Sequence, residues 1–138
     1  MPRCRAYHDT LRCKPFQGKG FQRYQNEYKN DITIAGSRSH GNKRQQSFIS
    51  KIKNAKVLSV GSSKKFCLVA EGKADIYPRF GSTSEWDTAA AQCIVEESGG
   101  KVIDEDLNPI KYNTKSSLIN PSFFVIADMS FNWNQFIT

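Results

Sequence analysis

An α/β domain, a layered sheet with flanking helices, is predicted by three observations. Short β-branched and aromatic runs alternate with segments of helical periodicity from residue 31 onward. Glycine, serine and asparagine punctuate the joints between them. A chain of 138 residues, 38% hydrophobic and 24% charged, has the size and composition of a single globule with a real core. Strands that alternate with helices bury both faces of their sheet, which makes a layered arrangement the expected one.

The elements follow in order. Residues 1–30 mix Arg, Cys, Gln and aromatics with no sustained period, and Gly18-Lys19-Gly20 marks a turn. Because this stretch begins abruptly and is not a linker, the chain is expected to start inside a larger fold. Ile32-Thr33-Ile34-Ala35-Gly36 is a β-branched strand leading into the polar turn Ser37-Arg38-Ser39-His40. A helix is predicted over residues 42–53, with Phe48, Ile49 and Ile52 as its apolar stripe. Lys56-Val57-Leu58-Ser59-Val60 is the next strand, ended by Gly61-Ser62-Ser63, and a helix from Lys64 to Glu71 is stopped by Gly72. Ala74 to Phe80 reads as a strand whose Pro78 suggests an edge or an exit, with Arg79 pointing toward the loop before Trp86. The helix that follows runs to Ser98. Its Ala89, Ala90, Cys93, Ile94 and Val95 predict a slim face lying against the sheet, and Gly99 is a left-handed C-terminal cap before the strand Lys101-Val102-Ile103. Asp104 to Pro109 has the composition of a hairpin turn and lacks the glycine and terminal glutamate of a calcium loop. Phe123-Phe124-Val125-Ile126-Ala127 is the last strand, with a short terminal helix after it.

Charge is unevenly divided within the net +7. Residues 1–30 carry 7 basic and 2 acidic groups, residues 31–80 carry 10 and 3, and residues 81–138 carry 3 and 8. A basic middle joined to an acidic last third suits a polyanion held beside a divalent cation, and scattered solvated lysines give similar counts. Basic residues are not joined to an aromatic stacking motif, which argues against a nucleic-acid partner. No apolar run reaches the roughly 18 residues of a membrane span and Met1-Pro2-Arg3-Cys4 lacks the apolar core of a signal peptide, so the cytosol is the expected compartment. Cys4, Cys13, Cys67 and Cys93 show no paired metal spacing and read as free thiols, with Cys67 and Cys93 expected to be buried as small hydrophobes.

Two stretches bear on chemistry. Asp87 sits in the first turn of a helix, where unpaired N–H groups and the helix dipole favour an anion; it fits a metal ligand, and it equally fits the reciprocal partner of Ser84 in a capping box. Spacing alone leaves both open. The strand, glycine-serine turn and helix start at residues 56–65 make an anion cradle to which Lys64 or Lys65 adds charge, while Ser62 or Ser63 fits a plain N-cap as well.

Several motifs occur together in one order. Trp86-Asp87-Thr88-Ala89-Ala90 with Glu97-Ser98-Gly99-Gly100 resembles the C-terminal signature of the inositol monophosphatase superfamily, W-D-x-A-A followed by E-A-G-G. Ser37-Arg38-Ser39-His40, the run Gly61 to Gly72 and Ala74 to Phe80 resemble its CysQ-type 3'(2'),5'-bisphosphate nucleotidases, the Lys64-Lys65-Phe66 that follows the glycine-serine turn favouring that branch. The likeness covers residues 31–128 well and Asp9-Thr10-Leu11 with Gly18-Lys19-Gly20 weakly. It implies the C-terminal domain of the inositol monophosphatase-like sugar phosphatase fold over residues 31–138, with residues 1–30 a remnant of the N-terminal domain. It implies a magnesium-dependent phosphomonoesterase that converts adenosine 3',5'-bisphosphate to AMP and phosphate, with Asp87 as a metal ligand that also faces substrate. Ser62, Lys65 and Arg79 correspond to nucleotide- and phosphate-binding positions and His40 to an adenosine-side contact. The family's glutamate pair and Asp-Pro-x-Asp-Gly-Thr loop are absent from the sequence, so no residue that positions the attacking water is assigned and a missing N-terminal half is the expected partner. A noncatalytic nucleotide- or polyanion-binding module and a sugar phosphatase are the alternatives.

One carboxylate seldom makes a dedicated magnesium site. The purified 138-residue chain is therefore expected to hydrolyse adenosine 3',5'-bisphosphate with magnesium little or not at all; turnover at the rate of a full-length relative would refute this.

Overall fold

The computed structural model describes residues 31–37 and 42–138. The expectations for residues 1–30, and for Arg38, Ser39 and His40, lie outside the described residues. Nine elements are described: β1 (Thr33–Gly36), α1 (Lys43–Ser50), β2 (Lys56–Ser59), α2 (Lys64–Ala70), β3 (Ile76–Arg79), α3 (Glu85–Glu97), β4 (Lys101–Asp104), β5 (Phe123–Ile126) and α4 (Asn134–Ile137). The strands form one sheet in the order β2-β1-β3-β5-β4. β1 pairs in parallel with β2 and β3, and β5 pairs antiparallel with β3 and β4. Fold class and element order match the layered α/β arrangement read from the pattern.

Side-chain alternation along the strands builds two cores. On one face Ala35, Tyr77, Val102, Phe123 and Val125 meet α2 and α3. On the other, Ile34, Ile76, Ile103, Phe124 and Ile126 meet Phe48 and Ile52, at and just beyond the end of α1, and Trp133 before α4. Burial of Phe66 and Val69 secures α2 with about 3–6 kcal/mol of apolar transfer energy. The predicted stripe of α1 is realised by buried Phe48 and Ile52, and Asn42 caps that helix by accepting from Gln45 N at 2.9 Å.

Pro78 departs from expectation, because β3 is the middle strand of the sheet rather than an edge. The reason is local. Pairing of β3 with β1 is registered only at Ile34 and Ile76, so the parallel ladder has ended before the missing Pro78 N–H would be needed, while Pro78 stays in antiparallel register with Phe124. Asp75, itself buried, extends the junction by accepting from Thr33 N at 2.7 Å.

The face of α3 is also corrected. Glu85, Thr88, Gln92 and Val95 are its buried residues, whereas Ala89, Ala90, Cys93 and Ile94 are exposed. Polar side chains are tolerated inward because the 110–120 segment supplies their partners: Tyr112 Oη donates to Gln92 Oε1 at 2.6 Å, and Gln92 Nε2 donates to Ile110 O at 3.2 Å. Cys67 and Cys93 are exposed rather than buried, because each lies on the helix face turned away from the sheet. Among the described residues no helix is long and apolar enough to cross a membrane.

Gly99 takes φ +96°, the left-handed cap predicted for it. At Gly100 a Cβ would stand 2.6 Å from Ile126 O and 2.8 Å from Val95 Cγ1, so α3 meets β5 backbone at a point where only glycine fits. Gly100→Ala should lower the unfolding free energy by about 2 kcal/mol, read as a lower urea midpoint at unchanged slope. An unchanged midpoint would show that this close approach is dispensable.

Candidate functional site

The parallel strands end together, β1 at Gly36, β2 at Ser59 and β3 at Arg79. From β1 the chain turns to α1 on one face of the sheet, and from β3 to α3 on the other. Such a reversal between neighbouring parallel strands opens a crevice at their carboxyl ends, the usual place for a ligand in open α/β sheets. Ser59 Oγ donates to Ser37 O at 3.2 Å and ties the exits of β1 and β2 together.

Two cations meet at this edge on the α2 side. Lys65 comes from the first turn of α2 and is only 5% exposed. Its Nζ donates to Val60 O at 3.3 Å and stands 5.2 Å from the centroid of the Tyr77 ring. Arg79 ends β3. Its Nη2 donates to Ser82 O at 3.4 Å, which carries it toward the loop before Trp86 as expected. The guanidinium lies over Gly81, where a Cβ would come within 3.4 Å of Nη2, and its Nε is buried with no partner among the described residues. Burial, and then the Arg79 charge, push the Lys65 ammonium below the usual lysine range. Burial raises the Tyr77 hydroxyl against the opposing effect of Arg79. Among the described residues no carboxylate forms a salt bridge with either cation. Among the described residues, then, this partly desolvated pair of like charges has no counter-charge in a salt bridge.

Ser62 stands at the same edge, exposed, with φ 56°. A non-glycine residue in that left-handed region carries strain of order 1 kcal/mol. The plain cap reading is not realised: Ser63 occupies the cap position of α2 but its side chain makes no capping bond.

Asp87 is exposed in the first turn of α3, and its Oδ2 accepts from Ser84 N at 2.9 Å, closing a capping box with Ser84. The helix start is stapled from the far side. Glu85 N donates to Leu118 O at 2.8 Å, and Asn120 Nδ2 donates to Thr83 Oγ1, Ser84 O and Thr88 Oγ1 at 2.9–3.1 Å. The Glu85 carboxylate pairs with Lys115 at 2.7 Å and accepts from Asn113 N at 2.9 Å, contacts that hold it below the usual carboxylate range. Nothing in the sequence around Asn120 announced this staple, since its partners lie more than thirty residues away.

As a metal centre the described residues are insufficient. Asp87 contributes one carboxylate, already engaged through one oxygen, and no group of three His, Cys, Asp or Glu side chains able to hold a metal occurs among the described residues. Lys65 and Arg79 are thus the predicted site residues that the structure brings together. Ser62 and Asp87 stand at the starts of the segments leading into and along the neighbouring helices, and His40 lies outside the described residues.

Two cations at the parallel-strand ends of an α/β sheet set the chemistry of this edge. Residues 7–130 match the model of the inositol monophosphatase family, and the chain belongs to that family. Within it the likeness is to CysQ. The chain is 48% identical over 93 residues to the 3'(2'),5'-bisphosphate nucleotidase CysQ of Buchnera aphidicola, covering 66% of this chain and 35% of that protein. It is 43% identical over 89 residues to the Escherichia coli K12 protein of the same name, covering 64% and 36%. The crystal structure of CysQ from Bacteroides thetaiotaomicron superposes with a TM-score of 0.64 at 40% identity, covering 75% of this chain and 40% of that one. The chain thus spans a little over a third of the length of the relatives it matches.

The lowered affinity of Lys65 for its proton predicts a stability signature. Folding disfavours the charged lysine, so the penalty is full below the folded-state value and fades as pH rises toward the ordinary lysine range. Lys65→Met, which keeps the stem and removes the charge, should raise Tm at neutral pH in phosphate-free buffer and abolish the gain in stability on the alkaline side. A fall of several degrees would show that the ammonium stabilises the fold.

Proposed function

We propose that this chain is the C-terminal α/β part of a 3'(2'),5'-bisphosphate nucleotidase, and that its share of the work is to hold the nucleotide. The reaction of such an enzyme is attack of water on the 3'-phosphorus of adenosine 3',5'-bisphosphate, breaking the bond to the 3'-oxygen and leaving AMP and phosphate. Lys65 and Arg79 neutralise phosphate oxygens and fix their direction, Arg79 through its planar fork and Lys65 as a point charge. Ser62 adds a hydroxyl to the same ligand, and His40 contacts the adenosine side. The paired cations, with no carboxylate salt-bridged to either among the described residues, are the observation that carries this reading.

Asp87 supplies one oxygen to a divalent cation, with magnesium the expected ion, whose other ligands come from outside the described residues. When bound, that ion would contribute an activated water and neutralisation of phosphate charge. The partner in this arrangement is the N-terminal half of the fold, of which residues 1–30 are a remnant. Its docking surface is the outer face of α2 and α3, where Trp86 is 70% and Ile94 53% exposed beside Cys67, Ala89, Ala90 and Cys93. Large apolar side chains exposed together in this way suit a docking surface. A cytosolic setting goes with this reading.

A second reading, a noncatalytic nucleotide-binding module, is favoured by the lone carboxylate of the described site. Both readings require AMP to bind. Calorimetry should detect AMP binding to the chain, weakened about tenfold or more by Lys65→Met and by Arg79→Ala. If neither substitution weakens binding, the cradle is wrongly placed. Turnover that appears only on addition of the N-terminal half of a CysQ relative would decide for the enzyme, and binding without turnover under that condition for the module.

A further inference from the structure

Asn120 staples the start of α3, and its grip extends to the loop before that helix. It is 5% exposed, and its side-chain nitrogen donates to Thr83 Oγ1 at 3.1 Å, to Ser84 O at 3.0 Å and to Thr88 Oγ1 at 2.9 Å. Its backbone N–H adds Thr83 O at 2.8 Å. The two protons of one amide group serve three acceptors, while Asn120 Oδ1 lies buried with no partner among the described residues, an arrangement that stability alone would not favour. The segment it grips leads two ways. Upstream, Ser82 O accepts from Arg79 Nη2 at 3.4 Å, so the guanidinium leans on the residue next to Thr83. Downstream, Ser84 N donates to Asp87 Oδ2 at 2.9 Å and Ser84 O accepts from Asp87 N at 3.0 Å, which sets the carboxylate on the helix start.

We propose that Asn120 is a positioning residue of the crevice: by fixing Thr83 and Ser84 it holds the Arg79 guanidinium and the Asp87 carboxylate at one set separation. Each group is hydrogen-bonded to a loop that Asn120 anchors through both its backbone and its amide. A short surface loop without such an anchor shifts readily, and a displacement of an ångström is enough to spoil the aim of a binding group. This rests on the nucleotide-holding role proposed above for Arg79. It goes further by giving a buried residue remote in sequence a share in aiming groups that it does not itself touch.

The test uses the full chain with Asn120→Ala, which removes the amide, Thr83→Val, which removes one hydroxyl that the amide binds, and Tyr112→Phe, with AMP as the probe. The Tyr112 hydroxyl bonds to Thr88 and Gln92 in the same network and not to the 82–84 loop, so its loss reports on stability alone. In the ligand-free chain the Ser84 amide and the Arg79 Nε–H should exchange faster with solvent in Asn120→Ala and Thr83→Val, and at the wild-type rate in Tyr112→Phe. AMP affinity should fall about fivefold in Asn120→Ala and about twofold in Thr83→Val, and hold in Tyr112→Phe, although all three lower Tm. Wild-type exchange at Ser84 and Arg79 in Asn120→Ala, or a loss of AMP affinity in Tyr112→Phe equal to that in Asn120→Ala, would overturn the proposal. Should Asn120→Ala not fold, the same two comparisons are made with Thr83→Val. Failure of the wild type to bind AMP would instead overturn the nucleotide-holding role, while exchange at Ser84 and Arg79 would still decide whether Asn120 positions them.

Discussion

Strand β3 is where the parallel and antiparallel halves of the sheet are joined, and the rest of the molecule depends on that junction. Its Ile76 pairs with β1 on one edge, while Ile76 to Arg79 pair residue by residue with β5 on the other. Alternation then assigns each side chain a destination: Ile76 enters the core under α1, Tyr77 the core under α2 and α3, and Arg79 the open end of the strand. A slip of one residue would exchange the two faces and send the arginine into the wrong core. Asp75 and Pro78 sharpen the register, the first by binding the Thr33 amide and the second by needing no ladder partner where β1 pairing has ended.

The crevice inherits its character from that junction. A buried lysine and a half-buried arginine side by side are poor choices for stability, since both lose hydration and each repels the other. Their place where parallel strands end is a local conflict that the proposed phosphate-holding role accounts for. The acidic side is built in the opposite manner. Asp87 is exposed on a helix start made rigid by Asn120, Glu85 and Lys115, so a carboxylate is presented to the outside from a fixed support.

The outer surface of α2 and α3 completes this picture. The inward face of α3 is largely polar and satisfied by the 110–120 segment, and its exposed residues set Trp86, Ala89, Ala90, Cys93 and Ile94 beside Asp87, Glu96 and Glu97. A polar face turned inward with apolar side chains outside departs from the usual amphipathic helix on a sheet.

Much of the fold was legible in the sequence because the signals are local. Period-2 runs, the cap Ser84 and the left-handed Gly99 depend on neighbours a few residues away, and the elements given bounds stand within two residues of them except α1, which ends at Ser50 rather than Lys53. The order of the motifs likewise sufficed to place the chain in its family. Facing was decided only in three dimensions. A helical wheel shows which residues of α3 align, but the choice between Ala89 with Ile94 and Thr88 with Gln92 was made by Tyr112 and Asn120, hydrogen-bonding from the far end of the chain. On sequence Lys65 fits a solvated charge and a cradle for an anion alike; only the sheet beneath α2 buries it against Tyr77, within reach of the Arg79 charge. The sequence by itself determined the elements, their order and the chemical groups available, because those follow from bonds between near neighbours. The tertiary structure decided which groups lose water and which charges meet, because burial and electrostatics depend on what the remote chain brings to the same place.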